Sequence, residues 1–76
     1  MYLFYSKHWL LKRIKRKDIT DDIIQYCIEM SAIMKDKHWS DAFNAIARIP
    51  PAGRSLKVVY KREGKGIKVV TAFWLD

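Results

Sequence analysis

Residues 54–75 read RSLKVVYKREGKGIKVVTAFWL, and the fold of the chain turns on them. Two runs rich in Val, Ile, Tyr, Thr, Phe and Trp flank Glu63-Gly64-Lys65-Gly66. β-Branched and aromatic runs joined by a short glycine-containing turn are the local signature of an antiparallel hairpin. Strict alternation assigns Leu56, Val58 and Tyr60 to one face of the first arm, and Ser55, Lys57, Val59 and Lys61 to the other. In the second arm it sets Ile67, Val69, Thr71, Phe73 and Leu75 against Lys68, Val70, Ala72 and Trp74. One face is apolar enough to need cover, while the other displays Lys57, Lys61, Lys68 and Trp74. A lone hairpin is marginal in water, so the preceding chain must supply that cover.

Working back from the hairpin, Pro50-Pro51-Ala52-Gly53 stops whatever precedes it and forms a rigid loop into the first arm. Asp41 to Arg48 (DAFNAIAR) fits a short helix capped by Ser40, with Phe43 and Ile46 apolar, and equally a strand pairing with the hairpin. Lys35-Asp36-Lys37-His38 is polar and turn-like, with His38 expected at the surface. Thr20 begins a helix: it caps the N-terminus, Asp21 and Asp22 complement the dipole, and Ile19 and Ile24 form a hydrophobic staple. Its core stripe is Ile23, Ile24, Cys27, Ile28 and Ser31, and it is expected to end near Ala32. Lys7 to Lys17 (KHWLLKRIKRK) reads as another helix, burying Leu10, Leu11 and Ile14 and turning its cations outward. Tyr2, Phe4 and Tyr5 favour a short strand added to the hairpin sheet. The expectation is an α+β domain: two N-terminal helices packed on one face of a small twisted antiparallel sheet that ends in the C-terminal hairpin.

Seventy-six residues make one domain with one modest core. Cys27 is the single cysteine, so an internal disulfide is excluded, and with two histidines it cannot fill a conventional zinc site. Cys27 reads as a small core residue. No run approaches the ~20 apolar residues of a membrane span, and the apolar start precedes the cations instead of following them, unlike a secretion signal. A cytoplasmic location is expected, with no membrane partner. Net charge is +7 and unevenly spread. Residues 1–17 carry six cations and no acid; residues 18–41 carry six acids against Lys35 and Lys37; residues 42–76 carry seven cations against Glu63 and Asp76. Folded together, the basic ends make one cationic surface suited to a polyanion, unless they merely form a solvated, lysine-rich exterior.

No phosphate loop, metal motif, nucleophile elbow or dinucleotide fingerprint is present, so no metal and no cofactor is expected. What remains is metal-free acid–base chemistry at a cationic surface. His8 opens the basic helix, with Lys12 a turn on and Arg13 and Arg16 beyond. An imidazole with a reference pKa of about 6.5 exchanges protons near neutrality, and nearby guanidiniums stabilise charge developing on a phosphorus centre. Those are the ingredients for RNA cleavage by attack of a 2′-hydroxyl on the adjacent phosphate. The bland alternative for His8 is a helix-start residue packed near Tyr5 or Trp9; for Arg54, a hairpin-entry ion pair. Trp9, Trp39 and Trp74 suit either base stacking or the core, and the core is preferred for at least two of them.

The phrases SKHWLLKRIKRKDIT and GRSLKVVYKREGKGIKVVTAFWLD bring a resemblance. In order and spacing, residues 6–75 are similar to the BrnT-like branch of the RelE/ParE toxin superfamily: a His heading a helix, an Arg a turn later, an Ile-Thr entry to the second helix, a later Gly-Arg, and a closing hairpin ending in Thr-Ala-aromatic. The positions that match are His8, Arg13, Arg54, Tyr60, Thr71 and Trp74. The departures are Lys17-Asp18, where the group usually has a glycine, and a chain that stops at Asp76 where many members continue. The resemblance implies a single RelE-like domain over residues 1–76, acting as the toxin of a type II toxin–antitoxin pair. Its activity would be a metal-free endoribonuclease that cuts messenger RNA, free or ribosome-bound, and so inhibits translation. His8 would be the acid/base, Arg13 and Arg54 the phosphate clamps, and Lys12, Arg16, Lys57, Tyr60, Lys61, Lys68 and Trp74 the RNA contacts. A cognate antitoxin would be its partner, with a homodimer left open. Since the ParE branch acts on gyrase without cutting RNA, a non-catalytic RNA- or protein-binding module on the same basic scaffold is the alternative. A small DNA-binding regulator stands third, without a clear helix-turn-helix.

Overall fold

The computed structural model describes residues 2–35 and 41–75, excepting the side chains of 32–35. The expectations for His38, Trp39 and the Lys35–His38 turn fall wholly or partly outside them. In chain order the elements are β1 (Tyr2–Tyr5), α1 (Lys7–Lys12), α2 (Asp21–Met30), β2 (Ala32–Lys35), β3 (Ala42–Ile49), β4 (Arg54–Glu63) and β5 (Gly66–Trp74). The strands form one five-stranded sheet in the order β1-β5-β4-β3-β2. This is an α+β domain, but the sheet is mixed where an antiparallel one was expected: β1 lies parallel to β5, with Leu3 beside Ile67 and Tyr5 beside Val69. The physical reason is connectivity. Two helices intervene between β1 and β2, which gives the chain length enough to cross the sheet from one edge to the other.

The hairpin is where the sequence put it. Glu63 pairs with Gly66 across Gly64-Lys65, and Gly64 alone takes a positive φ of 58°, which suits a tight turn with glycine leading. Gly66 is required for a different reason: a β-carbon there would run into the rings of Phe4 and Tyr2 on β1. The strict alternation expected of β5 fails. Tyr60 pairs with Val69 but Val59 pairs with Thr71, so Val70 is an extra residue in a bulge. Past the bulge the faces exchange, and Ala72 and Trp74 join Val69 and Ile67 on the side facing the helices. Trp74 therefore leaves the face on which the sequence reading placed it, beside Lys57, Lys61 and Lys68.

The stretch 41–48 resolves as strand β3, between β2 and β4. Phe43, Ala45, Ala47 and Ile49 face the helices, and the small alanines let α2 come close. Cys27 Sγ lies 3.5 Å from the carbonyls of Ala45 and Leu56. Helix α2 begins as read: the Thr20 side chain accepts from the Ile23 amide at 3.4 Å, and Ile19 and Ile24 are both buried. It ends at Met30, and Ser31 Oγ bonds back to the Ile28 carbonyl at 3.3 Å.

Helix α1 departs most from expectation. It spans six residues, not eleven, and its buried side chain is Trp9, fully enclosed. Leu10, Leu11 and Ile14, expected inside, are 41%, 70% and 63% exposed. The orientation is imposed at Ser6. Its amide donates to the Val69 carbonyl at 2.9 Å, its hydroxyl donates to the Val70 carbonyl at 2.8 Å, and the same oxygen accepts the Trp9 amide at 3.1 Å. With the helix start pinned to β5, the residue one turn on meets the sheet, and an indole fills more core than an aliphatic side chain. Beyond Lys12 the chain proceeds by tight turns, Lys15 to Lys12, Arg16 to Arg13 and Ile19 to Arg16. A continued helix would stack Lys12 on Arg16 and Arg13 on Lys17, like charges one turn apart.

The core of the domain follows: Trp9, Ile19, Ile24, Cys27, Ile28, Ala45, Ile49, Leu56, Val58, Tyr60, Val69 and Ala72, flanked by Leu3, Tyr5, Phe43, Ile67 and Trp74. Trp9→Ala is expected to cost about 3–5 kcal/mol of folding free energy, whereas Leu11→Ala should change it by less than about 0.5 kcal/mol. Urea denaturation of the two variants beside the parent checks this; a loss at Leu11 as large as that at Trp9 would refute the orientation of α1.

Candidate functional site

The sequence-predicted residues divide between the two sides of the sheet. On the helix side, Arg13 and Arg54 are built alike. Arg13 closes α1, with its guanidinium 5.3 Å from the centre of the Tyr5 ring and 4.0 Å from Asp21. Arg54 opens β4, 4.3 Å from the centre of a Trp74 ring and 3.6 Å from Asp18. Trp74 Nε1 donates to the same Asp18 carboxylate at 2.9 Å. Arg16 donates to the Ala72 carbonyl at 3.0 Å. These contacts tie the segment between the helices to β1, β4 and β5. Both arginines, expected as phosphate clamps, are thus held by an aromatic ring and an aspartate, with a little under half of each side chain exposed.

Beside this segment lies a cleft of about 510 Å³ lined by Arg13, Lys17, Ile19, Thr20, Asp21 and Asp22. Burial, with a hydrogen bond to Asp21 and that carboxylate's charge, pushes the Tyr5 phenol up to about 12 against the opposing pull of Arg13. Tyr5 is therefore a hydrogen-bond donor at neutral pH and not a base. His8 stands apart from these groups. It is exposed on α1 and makes no hydrogen bond or ion pair with another described residue. Five residues separate it from Arg13, about 140° around a helix, so the two do not share a face. Lys12, one turn from His8, is exposed as well.

The other side of the sheet bears no helix among the described residues, although Ala42, Asn44 and Val59 in its β3–β4 part are buried. Toward β1 it carries two short rows set by strand register. One runs Phe4, Lys68, Lys61 across β1, β5 and β4; the other pairs Phe73 with Lys57 across β5 and β4. Lys57 Nζ lies 5.8 Å from the centre of the Phe73 ring. Lys61 and Lys68 face each other directly, a like-charge opposition offset by Asp41 at 3.2 Å and Glu63 at 3.8 Å. Between them is a hollow of about 170 Å³ that Ser6, Glu63 and Val70 complete. This face keeps three of the predicted RNA contacts together, Lys57, Lys61 and Lys68. It loses Trp74 to the helix side, and it loses Tyr60, which is fully enclosed in the core and cannot hold a base.

Phe4 and Phe73 are the members of this face that sequence reasoning missed. The signal for Phe73 lay behind the bulge at Val70, and that for Phe4 behind a parallel pairing with the far end of the chain. Among the described residues no cluster of His, Cys, Asp and Glu could hold a metal ion, and no helix is long and apolar enough to cross a membrane. Compared with models of protein families, with curated proteins and with solved structures, the chain matches none.

Two outcomes follow from these contacts. Asp18→Ala removes an ion pair and the Trp74 hydrogen bond together, and should cost about 1–2 kcal/mol; Asp41→Ala, which loses one exposed pair, should cost less than about 1 kcal/mol by the same denaturation assay. Alkaline pH gives the second. Burial pushes the Cys27 thiol from 9.0 up to about 11. Between those values the unfolded chain has released a proton that the native state retains, so stability falls as pH rises through this window, and Tyr5 carries the fall onward to about 12. Unfolding free energies across that range should show a shallower first decline in Cys27→Ala; an unchanged slope would refute the assignment.

Proposed function

We propose that this chain is a RelE-like toxin domain whose target is RNA, bound across the helix-free face of the sheet. The observation that carries the reading is the pair of rows that set Phe4 beside Lys68 and Lys61, and Phe73 beside Lys57. Ammonium groups on neighbouring strands can meet phosphates of a single strand, and phenyl rings at the ends of the rows offer platforms for the bases. Two helices on one sheet are consistent with the resemblance, although the sheet is mixed where the resemblance implies an antiparallel one, and the basic surface suits both RNA and an acidic antitoxin. The nuclease form of the reading assigns cleavage to His8 as acid/base with Arg13 and Arg54 as phosphate clamps, groups that lie on the helix side of the sheet and not among the lysine rows.

A second reading, a non-catalytic RNA- or protein-binding module, is favoured by a specific observation: His8 stands alone, while Arg13 and Arg54 are each engaged by an aspartate. One experiment separates the two. Wild type, His8→Ala and a Lys57→Ala/Lys61→Ala/Lys68→Ala variant are expressed under induction, with growth and RNA integrity followed, and the purified proteins are titrated with single-stranded RNA. The nuclease reading expects growth arrest and cut RNA in wild type, lost in both variants, with RNA binding lost only in the triple variant. Intact RNA with salt-dependent binding, weakened by the triple variant and indifferent to His8, would leave the binding module in its place. Normal growth with no RNA binding by soluble wild-type protein would end the nuclease reading and the RNA-binding form of the second, leaving a protein-binding module.

A further inference from the structure

Helix α1 turns its apolar stripe away from the protein. Leu10 and Leu11 on α1, and Ile14 in the turns that follow it, are all exposed, while Trp9 of the same helix is fully enclosed. Around them are Lys7, Lys12, Lys15 and Lys17, none of which pairs with a carboxylate among the described residues. Residues 1–17 contain no acid at all. Three large aliphatic side chains in contiguous exposure, rimmed by charge, are what an interaction surface looks like on a small domain.

We infer that this stripe docks an acidic amphipathic helix of a partner protein. The three exposed side chains make a short apolar patch at the end of α1, of a size to receive the apolar face of a second helix. The surrounding ammonium groups call for carboxylates along both margins of that helix. RNA would satisfy the lysines but leave Leu11 and Ile14 in water. A second copy of this chain, meeting the stripe with its own, would bring cations against cations. An anionic bilayer satisfies both chemistries, but helices that lie in a membrane interface present a far longer apolar face than the six residues of α1. The inference rests on the toxin reading only in giving its antitoxin a place to sit, a place distinct from the RNA face of the sheet.

The test uses the isotope-labelled protein and a synthetic helix of about five turns, with leucines on one face and glutamates on the other, beside a scrambled peptide of equal composition. Binding of the ordered peptide should shift the resonances of α1 and be tighter than that of the scrambled one by about tenfold. Leu11→Ser/Ile14→Ser should erase that difference while leaving the melting temperature and the affinity for single-stranded RNA unchanged. Unchanged RNA binding separates this result from failure of the sheet-face reading, which Lys61→Ala/Lys68→Ala addresses. Equal affinity for the two peptides would overturn the inference. So would binding to phosphatidylglycerol vesicles, or a concentration-dependent dimer, that the double substitution abolishes. A double variant that fails to fold would overturn it too, because the stripe would then be core.

Discussion

The domain depends on the way Ser6 grips the bulge of β5. Backbone and side chain of this one residue reach the carbonyls of Val69 and Val70, and its oxygen also holds the first turn of α1. Neither half of this arrangement works without the other. The bulge adds the residue whose carbonyl the hydroxyl meets, and it reverses the faces of the strand so that Ala72 and Trp74 come under the helices. The cap fixes the rotation of α1, which sends Trp9 inward and three aliphatic side chains outward. A part-buried hydrogen-bond set of this kind has few alternatives, since each group released from it would need another partner in a partly dry setting.

From there the two sides of the sheet take on different chemistry. On the helix side, cations are consumed in holding the structure: Arg13 and Arg54 each sit between a ring and an aspartate, and Arg16 caps a strand carbonyl. A guanidinium serves this purpose better than an ammonium because its flat, weakly hydrated fork stacks and hydrogen-bonds at once. On the other side Lys61 and Lys68, on flexible stems, are each countered by an exposed acid, and Lys57 lies over the Phe73 ring. Such pairs are weak in water and exchange readily for phosphate. Arg13, Arg16 and Arg54 are thereby committed to the fold, while Lys57, Lys61 and Lys68 are held loosely enough to meet a ligand.

Much of this was legible in the chain and some of it was not, for identifiable reasons. The Gly64-Lys65 turn, the Thr20 cap and the Ile19–Ile24 staple are local, written in neighbouring residues, and each stands where the sequence reading placed it. The faces of the first hairpin arm were equally plain: Leu56, Val58 and Tyr60 are fully buried. Periodicity identified the apolar arc of α1 but could not say whether it met the sheet, because an amphipathic stripe carries no label for its partner. The bulge left no composition signal in KVVTAF, so alternation carried Trp74 to the wrong face. Asp41–Arg48 satisfied two periods at once and was decided by pairing with residues far along the chain. For the candidate site, the lysine cluster survived because Lys57 and Lys61 precede the bulge and Lys68 also lies on the turn side of it. Tyr60 did not, since it was assigned by its place in a resemblance although alternation set it on the core face, and Trp74 did not, since alternation could not show the bulge.

The parallel pairing of β1 with β5 has a consequence for how the domain comes into being. Ser6 and Val70 are joined across 64 positions of sequence, and the strand made first completes its edge of the sheet against the strand made last of the seven elements. Long-range closure of this kind is entropically slow. During synthesis β1 and α1 therefore wait, with their apolar faces uncovered, until the far end of the hairpin has left the ribosome. Maturation is in this sense a single event: neither the basic helix nor the lysine rows exist as organised surfaces until β5 has emerged and paired.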